Sequence, residues 1–198
     1  MQIEDKYILA FSRSDLSQWL VHFCKEVIVN NKKLDHFGSL LNILEADEIY
    51  ASCSEPIRRY NTFGACCFYD IPLSNYHEVI KTNPSDRRGY GIIVDKIILW
   101  HLGGRPVIYT DNTTSINWPE SERYRLVYTD LKKVPPVDWT HEREWRIQGN
   151  LKLMYFECNR SWWWPCVENE IDSKTIFKKF PNIDEVYVIE LGKIVTKN

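Results

Sequence analysis

The sequence predicts an α+β fold: a single compact domain over residues 1–198, with two N-terminal helices followed by a mixed, mostly antiparallel β body. Three observations predict it. Apolar residues recur at helical spacing twice before residue 47. From residue 62 onward, short apolar runs bounded by Gly, Pro and Asn dominate. The length, 198 residues, suits one domain able to bury a core without staples.

Residues 6–11 (KYILAF) read as a short strand. Ser12, Ser14 and Asp15 are residues that open helices. Leu16, Leu20, Phe23 and Val27 follow at spacings of 4, 3 and 4, one apolar helical face. Leu34, Phe37, Leu41 and Leu44 mark a second helix over 34–46, and residues 50–61, with Pro56 and Asn61, read as loop. The run 62–71 (TFGACCFYDI) is a buried strand that ends at Pro72. Residues 90–95 form another strand, and 96–102 one or two helical turns stopped by Gly103-Gly104. Residues 105–110 (RPVIYT) are a third strand, while 122–131 fit helix and strand equally. Charge and bulk alternate from Glu142 to Ile147, which predicts a strand. Residues 151–157 then pair with it across Gln148-Gly149-Asn150 as a hairpin. Pro165 makes 161–166 (SWWWPC) irregular, and a helix over 173–180 and a strand over 184–191 close the chain.

Composition excludes several classes. Twenty-five Lys and Arg against 27 Asp and Glu give a net charge of −2, which rules out a bulk polycation that coats nucleic acid. Hydrophobic content of 44% with 26% charged residues excludes disorder and collagen. No run approaches the ~18 apolar residues of a membrane span, and the acidic start MQIEDK does not read as a signal peptide. A cytoplasmic location is therefore expected. The six Cys show no CxxC pair and are expected as free thiols, with no metal. Eight Trp, 11 Tyr and 8 Phe point either to a heavy aromatic core or to a pocket with stacking walls. Trp162, Trp163 and Trp164 diverge in direction, so at least one is expected to face solvent, a protein partner or another copy of the chain. Basic doublets such as Arg58-Arg59 and Lys132-Lys133 offer a local face for nucleic acid.

Three stretches can carry chemistry. In a strand, Glu142, Glu144 and Arg146 share one face, with Arg143, Trp145 and Ile147 on the other. Two carboxylates so placed lie roughly 7 Å apart, at ~3.3 Å per residue. They either contact one ligand at two points or form a solvated face of ion pairs. Arg13, where a strand runs into a helix, either holds a phosphate with backbone N–H groups or is a surface arginine beside a cap. Asp70 before Pro72 either faces a ligand or closes a turn through backbone amides. Asp70, Asp95, Glu142 and Glu144 have no spacing that specifies Mg²⁺, and no Walker loop or dinucleotide-binding glycine fingerprint is present.

The segments CCFYDIPLS, YGIIVDKIILW with GGRPVIYT, and WTHEREWRI occur in that order over residues 62–147. Together they resemble the bacterial abortive-infection proteins of the AbiG type, the AbiGi subunit and its relatives. That resemblance implies a role in phage defence, with AbiGi acting as an antitoxin partner rather than an enzyme. Separately, Glu142-x-Glu144 is similar to the Glu-x-Glu element of ADP-ribosyltransferases, which cleave the nicotinamide–ribose bond of NAD. This second resemblance implies an ADP-ribosyltransferase-like fold with NAD as substrate. Glu144 would be the catalytic carboxylate that steadies an oxocarbenium-like cation, and Glu142 its neighbour. Arg13 would bind phosphate or ribose. The Ser-Thr-Ser strand of those enzymes has Thr113-Thr114-Ser115 as its nearest counterpart, or Tyr69 or Tyr90 in the middle position.

Overall fold

The computed structural model describes residues 17–54, 57, 59–60, 63–82, 88–111, 118–153 and 162–197. The strands, in chain order, are β1 (Trp19–Phe23), β2 (Val27–Val29), β3 (Lys32–Leu34), β4 (Glu48–Ile49), β5 (Ala65–Tyr69), β6 (Gly91–Asp95), β7 (Arg105–Pro106), β8 (Ile108–Thr110), β9 (Leu126–Tyr128), β10 (Glu144–Gln148), β11 (Leu151–Lys152), β12 (Trp163–Val167), β13 (Glu185–Val188) and β14 (Lys193–Thr196). The helices are α1 (His36–Ala46), α2 (Tyr76–Thr82), α3 (Lys96–His101) and α4 (Glu170–Lys179). The fold is α+β. Eight strands form one sheet in the order β14-β13-β12-β6-β1-β5-β10-β7. Within it only β12 and β13 run parallel. Parallel neighbours need a crossover rather than a tight turn, and α4 supplies it.

Both faces of this sheet are covered. Leu20, Phe68, Ile92, Val94, Ile147, Trp163, Val186 and Val188 pack under Leu40 and Leu44 of α1, Leu99 of α3 and Ile176 of α4. Val21, Phe23, Ile93, Trp164, Cys166 and Tyr187 pack on the opposite face with Tyr76, Val79 and Ile80 of α2. We call these the α1 face and the α2 face. Asp35 opens α1 by accepting the Gly38 N–H at 2.7 Å, and Asp95 opens α3 by accepting from Ile97 and Ile98. Gly91 is required where β6 passes β1: a Cβ there would sit 2.3 Å from the His22 carbonyl oxygen. The five described cysteines are free thiols. No helix among the described residues is long and apolar enough to cross a membrane.

Double coverage corrects the expected first helix. Residues 19–23 are a central strand between β5 and β6, and Leu20 and Val21 are both fully buried on opposite faces. Of the expected face Leu16, Leu20, Phe23 and Val27, Leu20 and Phe23 fall in β1, which carries apolar residues at both parities, Val27 falls in β2, and Leu16 lies outside the described residues. The expected 6–11 strand and its cap lie outside the described residues. Residues 105–110 are not one strand: β7 pairs with β10, and β8 pairs parallel with β9. The 122–131 segment is a 3-10 turn, Glu120–Arg125, running into β9. The expected hairpin is absent as such, because β11 pairs with β4 after the chain turns at Gly149 with φ +74°.

Residues 161–166 are also corrected. Trp163–Val167 is a fully buried strand that contains Pro165. The Asp95 N–H donates to the Trp162 carbonyl at 2.7 Å, so the alternate pair Pro165↔Ile92 is one that needs no hydrogen bond across β6. The missing donor faces the β13 side, just before that ladder begins at Cys166↔Tyr187. Trp162, Trp163 and Trp164 are 4%, 6% and 5% exposed, against the expectation that one would face outward. They do diverge, but each direction leads into a covered layer.

His22, on β1, donates from Nδ1 to the Cys67 carbonyl at 2.9 Å and packs on Phe68 at 5.7 Å. Burial lowers its pKa from 6.5, outweighing the opposing effect of that bond. Below 6.5 the unfolded chain binds a proton that the folded ring resists, so this contribution is full above 6.5 and declines as the pH falls toward the folded value. His22→Gln is expected to flatten the acid-side loss of stability by up to ~1.4 kcal/mol per pH unit. Urea unfolding across the acid range checks this, and parallel pH slopes in the two proteins would refute it.

Candidate functional site

The candidate site lies where β5 ends and β10 begins. The two strands pair antiparallel, with Glu144 opposite Tyr69 and Arg146 opposite Cys67. Strand parity puts Glu144, Arg146, Cys67 and Tyr69 on the α2 face. Arg146 grips Glu144 with two bonds, Nε to Oε1 at 2.8 Å and Nη2 to Oε2 at 3.1 Å. Its Nη1 donates to the Tyr124 and Leu126 carbonyls at 3.1 and 3.2 Å. Residues 120–128 thus roof this part of the sheet, and Glu144 and Arg146 are only 7% and 4% exposed. Burial alone would lower the Arg146 pKa, but the charge and bonds of Glu144 reverse this and raise it. Cys67 beneath the pair has its thiol pKa pushed well up, by burial first and then by Glu144. Burial also raises the Tyr109 pKa, with Glu144 and Glu142 among its charged neighbours.

Glu142 is not on the strand. Thr140–Glu142 is a 3-10 turn, and Arg143 follows it in the left-handed region at φ 46°. That kink interrupts the alternation expected from residue 142, so Glu142 lies off the strand, half-buried, before β10 begins. The kink also lets the Arg143 carbonyl accept the Asp70 N–H at 3.2 Å. Asp70 neither binds turn amides nor stands free. Its Oδ2 lies 2.9 Å from Lys96 Nζ and 3.4 Å from Arg143 Nη2, while its buried Oδ1 has no hydrogen-bond partner among the described residues. An aromatic rim adjoins these charges. Lys96 lies 5.8 Å over Trp145, Trp145 meets Trp100 at 6.1 Å, and the Arg105 guanidinium stacks 3.9 Å from the Trp100 ring. Trp100 is 46% exposed; Trp139, 47% exposed, lies against His141 at 6.4 Å and opens the turn that leads to Arg143.

The other expected site residues are dispersed. Tyr69 is half-buried on the α2 face and packs against Phe23 at 5.6 Å. Tyr90 lies across the sheet, on the α1 face, against Phe37 at 5.3 Å, and donates to Asp172 Oδ2 at 2.8 Å. Burial and then Asp172 raise its pKa. The fold therefore keeps Tyr69 by Glu144 and separates Tyr90 from both. Arg13 and Thr113-Thr114-Ser115 lie outside the described residues. The Asp95 carboxylate is committed to capping α3. Among the described residues, no group of three or more His, Cys, Asp and Glu side chains could hold a metal ion. Sequence reading does not single out Lys96, Cys67 or Arg143 as site residues, whereas Asp70 before Pro72 and Arg146, two residues from Glu144, carry readable signals.

No family model, curated protein or solved structure matches the chain.

A buried pair that loses one partner leaves an uncompensated charge. Arg146→Met is therefore expected to cost about 3–5 kcal/mol in urea unfolding. The double change Glu144→Leu with Arg146→Met is expected to cost less than Arg146→Met alone. A single change costing no more than a surface substitution would show that the pair does not brace the β5–β10 junction.

Proposed function

We propose that the chain is a non-catalytic binding subunit of a bacterial phage-defence system and that it docks a protein partner on the rim around Trp100, Trp139 and Arg143. The resemblance of residues 62–147 to AbiG-type proteins supports the biological setting. One observation carries the non-catalytic reading: both Glu144 oxygens are engaged by Arg146 beneath the 120–128 segment. A carboxylate that steadies a cation on ribose must face that ribose, whereas this one neutralises a buried guanidinium. Exposed tryptophans with a stacked arginine are residue types that dominate interface energetics.

A second reading is an ADP-ribosyltransferase-like effector that takes NAD. The half-buried Glu142 favours it, because it stands three residues from exposed Trp139, an aromatic able to stack on nicotinamide. In that case Glu142 is the accessible acid and Glu144 the strut behind it.

Nicotinamide release from NAD separates the two. The purified chain is expected to stay at buffer background, and Glu142→Gln and Glu144→Gln to match it. Turnover above background that either change abolishes would overturn the binding reading. In cells carrying the chain with its neighbouring genes, Trp100→Ala with Trp139→Ala is expected to return phage plating to the empty-vector level while leaving the melting temperature unchanged. Full protection by that variant would remove the rim from the proposal.

A further inference from the structure

We infer that α4 and β14 form a docking groove for an extended acidic peptide, which joins the sheet as a further strand beside β14. The inference concerns a different part of the molecule from the Trp100–Arg143 rim and does not rest on the phage-defence reading.

β14 is the last strand of the large sheet, and β13 is the one strand it pairs with among the described residues. The Lys197 N–H donates to the Asp184 carbonyl at 2.9 Å. Antiparallel ladders alternate, so Val195 and Lys193 also bond inward, opposite Val186 and Val188. The main-chain N–H and C=O of Ile194 and Thr196 consequently point outward, along the open edge. Such an edge is a template for strand addition.

The side chains beside this edge select what can add. Lys193, Val195 and Lys197 share the α1 face with Val186 and Val188, and so look toward α4. From α4 come Lys174 and Lys178, one turn apart on the same side of the helix. A groove of about 650 Å³ lies between them, with Phe177 and Val195 as its apolar part. Glu170 is the single acid along it among the described residues and stands 4.0 Å from Lys174. Lys197 donates to the Pro181 carbonyl at 2.9 Å. Neither Lys178 nor Lys193 has a carboxylate within ion-pair distance among the described residues.

A second copy of the chain is the wrong occupant. Edge-to-edge pairing of two β14 strands would bring this row of lysines against its own copy, and like charges across strands destabilise the pair. An acidic strand reverses that sign. Its backbone would bond Ile194 and Thr196, and its alternate Asp or Glu side chains would meet Lys193 and Lys178. Nucleic acid would use the lysines but leave the outward amides unused, so it is kept as an outcome of the test.

The probe is a fluorescein-labelled heptapeptide of alternating Glu and Val, compared by anisotropy with a Lys and Val counterpart and with single-stranded oligothymidylate. Saturable binding of the acidic peptide to the full chain is expected, without binding of the basic one. Lys178→Glu with Lys193→Glu is expected to weaken it at least about tenfold. Ile194→Pro is expected to do the same, because it removes an outward amide while sparing the inward ladder to β13. An acidic peptide N-methylated at alternate amides tests the same bonds with the protein unchanged, and it too is expected to bind at least about tenfold more weakly. No saturable acidic-peptide binding would overturn the inference. So would binding that survives N-methylation, or an equal affinity for oligothymidylate, since either would mean that charge alone holds the ligand.

Discussion

The whole structure depends on a sheet that must be dry on both sides. Six of its eight strands have a neighbour on each edge, and its two faces carry separate apolar clusters under α1, α3 and α4 on one side and α2 on the other. Under that constraint most interior strands carry apolar residues at both parities, as Leu20 with Val21 and Trp163 with Trp164 show. It also explains the aromatic richness. Two clusters must be filled from a chain of 198 residues, and large rings fill volume with few residues.

The same constraint governs the polar cluster at the β5–β10 junction. Toward the β7 edge the α2 layer gives way to residues 120–128, whose Tyr124 and Leu126 carbonyls hang over the sheet. Main-chain acceptors in a covered layer need donors, and a guanidinium satisfies two of them while pairing with a carboxylate. Glu144 and Arg146 thus let a polar roof seal a sheet face. Asp70, Lys96 and Arg143 perform a similar task at the rim, where α3, β5 and β10 meet. The charge is local in both places: Glu144 and Arg146 balance one to one, and Asp70 is shared by two cations.

How far the sequence foretold this varies by element. Helix α1 is legible because one side of it faces the core: Leu40, Ile43 and Leu44 are buried, and Asp35 supplies a recognisable cap. Strand β6 with helix α3 is legible because Asp95 and Gly103-Gly104 punctuate it. Strand β1 is not, since a doubly buried strand carries apolar residues at both parities, here Trp19, Leu20, Val21 and Phe23, and so satisfies a helical template as well. In the candidate site, parity correctly joins Glu144 with Arg146. It misplaces Glu142, because a left-handed Arg143 carries no sequence signature of the kind a glycine would give. The burial of the pair is also invisible in the sequence, for it comes from residues 120–128, most of which fall in the 122–131 stretch that fits helix and strand equally.

The place of β1 in the sheet has a bearing on how the chain is made. β1 is among the first described segments to leave a ribosome, yet its neighbours are β5 and β6, which end at Tyr69 and Asp95. Until those residues emerge, Trp19, Leu20, Val21 and Phe23 form an apolar strand with both edges open. Such a segment is a ready nucleus for association between nascent chains. A strand at the centre of the finished sheet thus waits for both of its partners during synthesis, and until they arrive it is open to nascent-chain chaperones.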